Sequence, residues 1–270
     1  MAAEHSTKQV PCPEADASLN QALQRVRVVL VGTTHAGNIG ASARALKTMG
    51  LSRLSLVQPK VKLDANAYSM ASNALDVMDA IQRFDSLDEA LNGCHWVIGA
   101  SARLRDRPQT LLSVRQAAEH ARTAWLLNPA TTHAEIALVF GREHSGLSNE
   151  ELGRCHAHML IPANPAYSSL NLAQAVQIAC YEIRQALLDE APLMPQSANP
   201  LPATHDAVER LMQHWQSTLH ELEFLDPQNP RHMMQKLRNL LWRAQITPNE
   251  VDILRGMLTA VQRKICRRQP

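Results

Sequence analysis

Long apolar runs are missing from this 270-residue chain, and none approaches the length needed to cross a bilayer. Cysteine is scarce and scattered. Cys12, Cys94, Cys155, Cys180 and Cys266 form no C-x-x-C pair, which argues against a disulfide framework or a zinc ribbon and suits a reducing compartment. The first residues are polar and hold Pro11 and Pro13 in place of an apolar signal core, so the expectation is a cytoplasmic protein with a flexible tail over 1–24. No charge of one sign dominates: 27 Lys+Arg against 25 Asp+Glu leave +2, and 45% hydrophobic residues exclude wholesale disorder. Several signatures are absent as well: G-x-G-x-x-G after a strand, G-x-x-x-x-G-K-[ST], H-E-x-x-H and G-x-S-x-G. Nucleoside triphosphate hydrolysis, zinc proteolysis and standard hydrolase chemistry lose their usual support. The cluster Cys155-His156-Ala157-His158 lacks further ligands at helix or loop spacing, and no metal is expected there.

What is present is a rhythm. Short apolar runs at 26–31, 54–57, 96–99, 136–140 and 158–161 alternate with helical patterns at 41–49, 69–81, 87–91, 115–123, 149–154 and 170–188. Ser86-x-x-Glu89 and Ser148-x-x-Glu151 read as capping boxes. The alternation predicts an α/β domain with a parallel sheet over 25–190. Four prolines within 191–203 make 191–204 a linker. Beyond it, over 205–270, only helical patterns occur: 206–223, 231–243, and a third opened by Thr247-Pro248-Asn249-Glu250, with Thr as N-cap, Pro at N1 and Glu at N3.

Charge concentrates in this last part. From residue 227 onward, Arg231, Lys236, Arg238, Arg243, Arg255, Arg263, Lys264, Arg267 and Arg268 face only Glu250 and Asp252, a net of +7. A polyanion partner and a solvated basic helix face both fit that bias.

Three segments place Gly, Asn, Ser and charged residues at the carboxyl ends of expected strands, where open α/β sheets build their sites. In the first, residues 33–44, Asn38 and Arg44 flank a helix start made of small residues, which lets another backbone approach. In the second, residues 138–150, Gly141 permits a ligand close to the backbone and Glu143 can accept hydrogen bonds. In the third, residues 161–172, any one of Ser168, Ser169 and Asn171 would serve as a helix cap, and together they exceed what capping needs.

Taken in order, Asn38-x-Gly40-x-x-x-Arg44, Phe140-Gly-x-Glu-x-x-Gly-Leu147 and Ile161-Pro followed by Ser168-Ser-Leu-Asn-Leu-Ala-x-Ala175 resemble the three motifs of the SPOUT methyltransferases, in their TrmH-like branch of ribose 2'-O-methyltransferases. The opening VLVGTTHAGNIGASARALKTMG, the NPAYSSLNLAQAVQ stretch and the C-terminal KLRNLLWRA and ILRGML resemble the TrmJ subgroup, which methylates the ribose of cytidine or uridine 32 in the tRNA anticodon loop. Asn73 departs from the glycine usual in that subgroup.

The resemblance implies a parallel-sheet SPOUT fold with a trefoil knot, a homodimer with a composite site, and S-adenosylmethionine as methyl donor. It implies cofactor contacts from Ala100, Ser101 and Ala102, from Gly141, and from Ile161, Ser168, Ser169 and Leu170. It assigns catalysis to Arg44 with Asn38, Glu143, Ser169 and Asn171. A guanidinium has no lone pair to offer, so Arg44 is read as orienting the hydroxyl and stabilising the nascent alkoxide. Phosphate contacts over an extended tRNA are expected from the basic extension, through Arg231, Lys236, Arg238, Arg243 and Arg255. Two rival readings are a methyltransferase for another tRNA or rRNA site and a non-catalytic RNA-binding member of the fold. Intact Arg44, Glu143, Ser169 and Asn171 argue against the latter.

Overall fold

The computed structural model describes residues 13–101, 110–189, 200–225 and 230–266. Part of the expected tail is helical: α1 spans Pro13–Leu23. Its Leu19, Ala22 and Leu23 lie on one face and are buried in the core, a stripe too narrow to stand out in a polar segment.

The sheet has seven strands: β1 (Val26–Val31), β2 (Arg53–Val57), β3 (Gln82–Phe84), β4 (Cys94–Ala100), β5 (Thr110–Ser113), β6 (Glu135–Phe140) and β7 (Ala157–Leu160). Their order is β3-β2-β1-β6-β4-β7-β5, and every pairing is parallel. All six residues of β1 are buried, as a strand covered on both faces requires. One face of the sheet packs Val28, Leu30, Leu54, Leu56, Ile98, Ile136 and Leu138 against α1, α2 (Ala36–Thr48), α3 (Ala65–Ala71), α4 (Leu75–Asp79), α6 (Val114–His120) and α8 (Leu172–Leu188). The other packs Val29, Val31, Val57, Val97, Ala137 and Val139 against α5 (Leu87–Ala90) and α7 (Asn149–Leu152). The last two strands enter the interior of the sheet: β6 lies between β1 and β4, and β7 between β4 and β5.

A single helix over 69–81 is not formed. Ser72 adopts a left-handed φ of 52° and the chain breaks there, leaving α3 and α4 separate. Lys47 of α2 spans the break, its Nζ donating to the Asn73 carbonyl at 2.9 Å and to Asp76 at 2.7 Å. α2 and α3 come together at Gly40, where a Cβ would fall 1.9 Å from the Ala67 carbonyl oxygen. Small residues in this helix therefore serve contact with a neighbouring backbone.

Past the described part of the linker, α9 (His205–Glu221), α10 (Pro230–Ala244) and α11 (Pro248–Cys266) enclose a further core of Val208, Leu211, Met212, Leu241, Trp242, Ile246 and Val251. Thr247 and Glu250 cap α11 reciprocally, as their spacing predicts. These helices sit at the amino-terminal side of the sheet. Asp206 accepts from the Gly93 backbone at 3.2 Å just before β4, and Gln235 donates to the Gly153 carbonyl at 3.0 Å just before β7. Arg154 pairs with Glu209, and the ring of His156 lies 4.6 Å from that of Trp242. Burial, and after it the nearby His205, push the His156 imidazole down to about 3, so this ring packs on Trp242 uncharged.

Candidate active site

The carboxyl ends of β1, β6, β4 and β7 are neighbours in the sheet, and the three polar segments leave from them. The second segment is held in one shape by its own contacts. Arg142 and Gly146 exchange backbone hydrogen bonds at 3.2 and 2.8 Å, with Gly146 at a φ of 68°. The Arg142 guanidinium forks onto both oxygens of Glu151 at 2.9 Å, and Glu151 also completes the capping box of α7 with Ser148. A Cβ on Gly141 would lie 2.1 Å from the Gly146 carbonyl carbon and 2.2 Å from the Leu147 nitrogen. The glycine is thus required by the loop's own backbone, a second demand beside the close approach of a ligand that the sequence suggests. Gly141→Val should break this loop before it blocks anything bound.

That loop aims Glu143 at the start of α2. Its carboxylate accepts from the Thr34 backbone at 3.0 Å, the Thr34 hydroxyl at 2.8 Å, the His35 backbone at 3.2 Å and the Asn38 amide at 3.0 Å. Burial alone would raise its pKa; the bonds from Asn38, from backbone and from Thr34 outweigh it and hold the carboxyl at about 2. Glu143 is therefore an anion at any physiological pH. Asn38 in turn accepts from the Asn171 amide at 2.9 Å, while the other end of the Asn171 side chain caps α8 at the Ala173 and Gln174 backbone nitrogens. Both readings of Asn171, cap and site residue, hold at once.

Beside this network lies a cavity of about 460 Å³. Ala100, Ser101, Gly141, Ile161, Ser168, Ser169 and Leu170 line it, together with Glu143 and His144. These are seven of the eight expected cofactor contacts; Ala102 lies outside the described residues. Four of the five expected catalytic residues, Asn38, Glu143, Ser169 and Asn171, also meet here. Arg44 does not. It lies further along α2, exposed, with no hydrogen bond or ion pair recorded for its side chain among the described residues. Thr34 and His35 escaped the sequence reading because they act on Glu143 largely through backbone N–H groups, which no side-chain pattern reveals. The Arg142–Glu151 fork escaped it because nine residues separate the partners.

Among the expected RNA contacts, Arg238 needs correction. Its guanidinium is largely buried and forks onto Glu209 at 2.6 and 2.9 Å, so it carries no free charge to offer a phosphate. Lys236, Arg243 and Arg255 are exposed, and the Arg231 side chain lies outside the described residues. Among the described residues no group of three or more His, Cys, Asp or Glu is placed to hold a metal ion, and no helix is long and apolar enough to cross a membrane.

Residues 25–181 match the SpoU rRNA Methylase family, and residues 206–270 match the C-terminal domain of tRNA methyltransferase TrmJ. The chain is 47% identical over 247 residues to the tRNA (cytidine/uridine-2'-O-)-methyltransferase TrmJ of Yersinia pestis (strain Pestoides F), covering 90% of this chain and 93% of that protein. It is 46% identical to the tRNA (cytidine/uridine/adenosine-2'-O-)-methyltransferase TrmJ of Pseudomonas aeruginosa (strain UCBPP-PA14), over 89% of this chain and 95% of the relative. Among solved structures, TrmJ from Z. mobilis ZM4 superposes with a TM-score of 0.76 at 27% identity, covering 87% of this chain and 98% of that one. The motifs, the all-parallel sheet and the helical extension agree with these matches: the chain belongs to the SpoU methylase family and, within it, to the TrmJ methyltransferases.

Proposed function

We propose that this protein transfers a methyl group from S-adenosylmethionine to the ribose 2'-hydroxyl of nucleotide 32, cytidine or uridine, in the tRNA anticodon loop, and that it does so as a homodimer in the cytoplasm. The observation that carries the reading is the meeting of Asn38, Glu143 and Asn171 in one hydrogen-bonded chain beside a cavity built from three strand ends. The relatives named for 2'-O-methylation of tRNA at close to half identity supply the substrate class.

The cavity fits S-adenosylmethionine in size, within the roughly 300–1,000 Å³ usual for small-molecule sites. It also fits in chemistry. Small residues and backbone at Ala100, Ser101 and Ile161 suit an adenosyl group, the Glu143 carboxylate suits a cation, and the one guanidinium among the described lining residues, that of Arg142, is neutralised by Glu151. When bound, the donor supplies a methyl already activated on sulfonium. The chain's own residues then have to orient the ribose hydroxyl and stabilise charge on its oxygen. Asn38 is fixed by two partners and presents a rigid amide. Arg44, on the exposed face of α2, is free to reach a hydroxyl outside its own cavity, which is the placement a composite dimeric site needs. Exposed Lys236, Arg243 and Arg255 would hold tRNA phosphates.

The test is methyl transfer from labelled S-adenosylmethionine to bulk tRNA, with nuclease mapping of the product. Label in a nuclease-resistant dinucleotide at position 32 is the expected result. Label elsewhere in tRNA, or in ribosomal RNA, would reassign the substrate.

A further inference from the structure

The ribose hydroxyl must lose a proton as its oxygen takes the methyl, and most polar groups at this site are poor acceptors. Arg44 has no lone pair. Glu143, held near 2, is too weak a base and is already surrounded by donors. Ser169, Asn38 and Asn171 do not titrate in the relevant range. Imidazole, whose ordinary pKa lies near neutrality, is the side chain suited to the task, and two stand nearby: His144 in the lining of the cavity and His35 against Glu143, with ring centroids 6.1 Å apart.

Only His35 has its ring nitrogens ordered. The Thr34 hydroxyl lies 2.8 Å from Glu143 Oε2 and 2.9 Å from His35 Nδ1. An ionised carboxylate accepts only, so the hydroxyl proton goes to Glu143 and the Thr34 oxygen is left to accept from His35. Nδ1 therefore carries the hydrogen. The lone pair of the neutral ring is on Nε2, for which no partner is recorded among the described residues. His35 holds the N-cap position of α2 with no capping bond from its ring, and its side chain is 60% exposed, one turn before Asn38. The groups recorded facing it are Glu143, 3.6 Å from Nδ1, and His144, both from the loop after β6; Thr34 and Asn38 beside it carry no charge.

We propose that His35 is the general base of the methyl transfer, its Nε2 accepting the ribose 2'-hydroxyl proton while Thr34 and Glu143 fix its tautomer. This rests on the function proposed above. The oxygen–methyl bond forms as the sulfur–methyl bond breaks, the sulfonium leaves as the neutral thioether of S-adenosylhomocysteine, and the proton held on His35 passes to water.

The experiment is single-turnover methyl transfer by the full-length protein on tRNA between about pH 5.5 and 8.5, with S-adenosylmethionine affinity measured by calorimetry alongside. Wild type should lose rate in acid with unit slope. His35→Gln should transfer about 10²- to 10⁴-fold more slowly, the usual contribution of a general base, and should lose that slope while binding the donor within twofold of wild type. Added imidazole should restore rate to His35→Ala, since the site is open to solvent, and His144→Ala should keep the acid limb whatever its rate. A His35→Gln enzyme that retains the acid limb at a rate within threefold of wild type would overturn the assignment, as would a His35→Ala enzyme that binds the donor normally yet gains nothing from imidazole. Failure of the wild type to methylate any tRNA is a separate result, and it would overturn the function together with this step.

Discussion

The two ends of the sheet are built from different materials. At the carboxyl ends, small residues and short polar side chains leave a cavity, and order comes from hydrogen bonds converging on one carboxylate, Glu143. At the amino-terminal side, order comes from large rings and buried charge: His156 against Trp242, and Glu209 between Arg154 and Arg238. The first end holds a fixed carboxylate beside open space. The second joins two parts of the chain, and cavities of about 340 and 490 Å³ remain where they meet. The contrast teaches that a charged residue's role here follows from its partners. Arg44 and Arg238 look alike in sequence, yet one is free and the other is spent on Glu209.

The sharpest way to test that contrast is Arg44→Ala. With no recorded partner, its loss should leave melting temperature and donor affinity unchanged while lowering kcat by about 10²- to 10³-fold, the usual effect of removing one group that stabilises a developing oxyanion. Arg44→Lys should fail as well, because an ammonium lacks the planar fork. Reduced donor affinity in calorimetry would place Arg44 in the pocket instead.

Arg238→Ala should do the reverse. It leaves the buried Glu209 with Arg154 as its remaining arginine and should destabilise the protein by about 3 kcal/mol, at the low end for breaking a buried ion pair, visible as a lower Tm with donor affinity intact. An unchanged Tm would return Arg238 to the RNA-facing set.

The pH dependence of the catalytic end has a definite sign. Glu143 titrates at about 2 in the folded protein against an ordinary value of 4.5, so its contribution is fully present above about 4.5 and lost as pH falls toward 2. The shift sets an upper limit of about 3 kcal/mol. Glu143→Gln should flatten the stability profile across that window, measured by denaturant unfolding at successive pH values; an identical slope would mean the carboxylate is not held as described. The smallest effect is expected from Lys236→Ala, Arg243→Ala and Arg255→Ala, each reducing the salt slope of tRNA binding by about 0.7 to 0.9 per lost phosphate contact. Equal slopes would leave these residues as a solvated face.

Legibility in the sequence followed burial. The runs 26–31 and 136–140 are covered on both faces, so apolar continuity betrayed them. β3 is three residues long with exposed Gln82 and Arg83, and β5 is four residues long with Leu111 exposed and Leu112 half-buried, so neither carries the buried apolar run that marks a strand. The break at Ser72 was invisible because serine favours no left-handed turn by type, and only the neighbouring Lys47 shows why the chain tolerates it. In the site, side chains with distinctive chemistry were legible at Asn38, Glu143 and Asn171. What remained hidden was the wiring: backbone donors at Thr34 and His35, and a guanidinium that meets its carboxylate only after the loop has folded.

The crossover from β6 to β7 carries both kinds of attachment within a few residues. Glu151 grips the Arg142 loop that aims Glu143, while Gly153 and Arg154, at most three positions on, receive Gln235 and Glu209 from the helical extension. Surface connections usually accept added or deleted residues cheaply. Here a change of length between 149 and 154 would put one attachment or the other out of register, so this single turn of helix is where the protein has least freedom to vary its length.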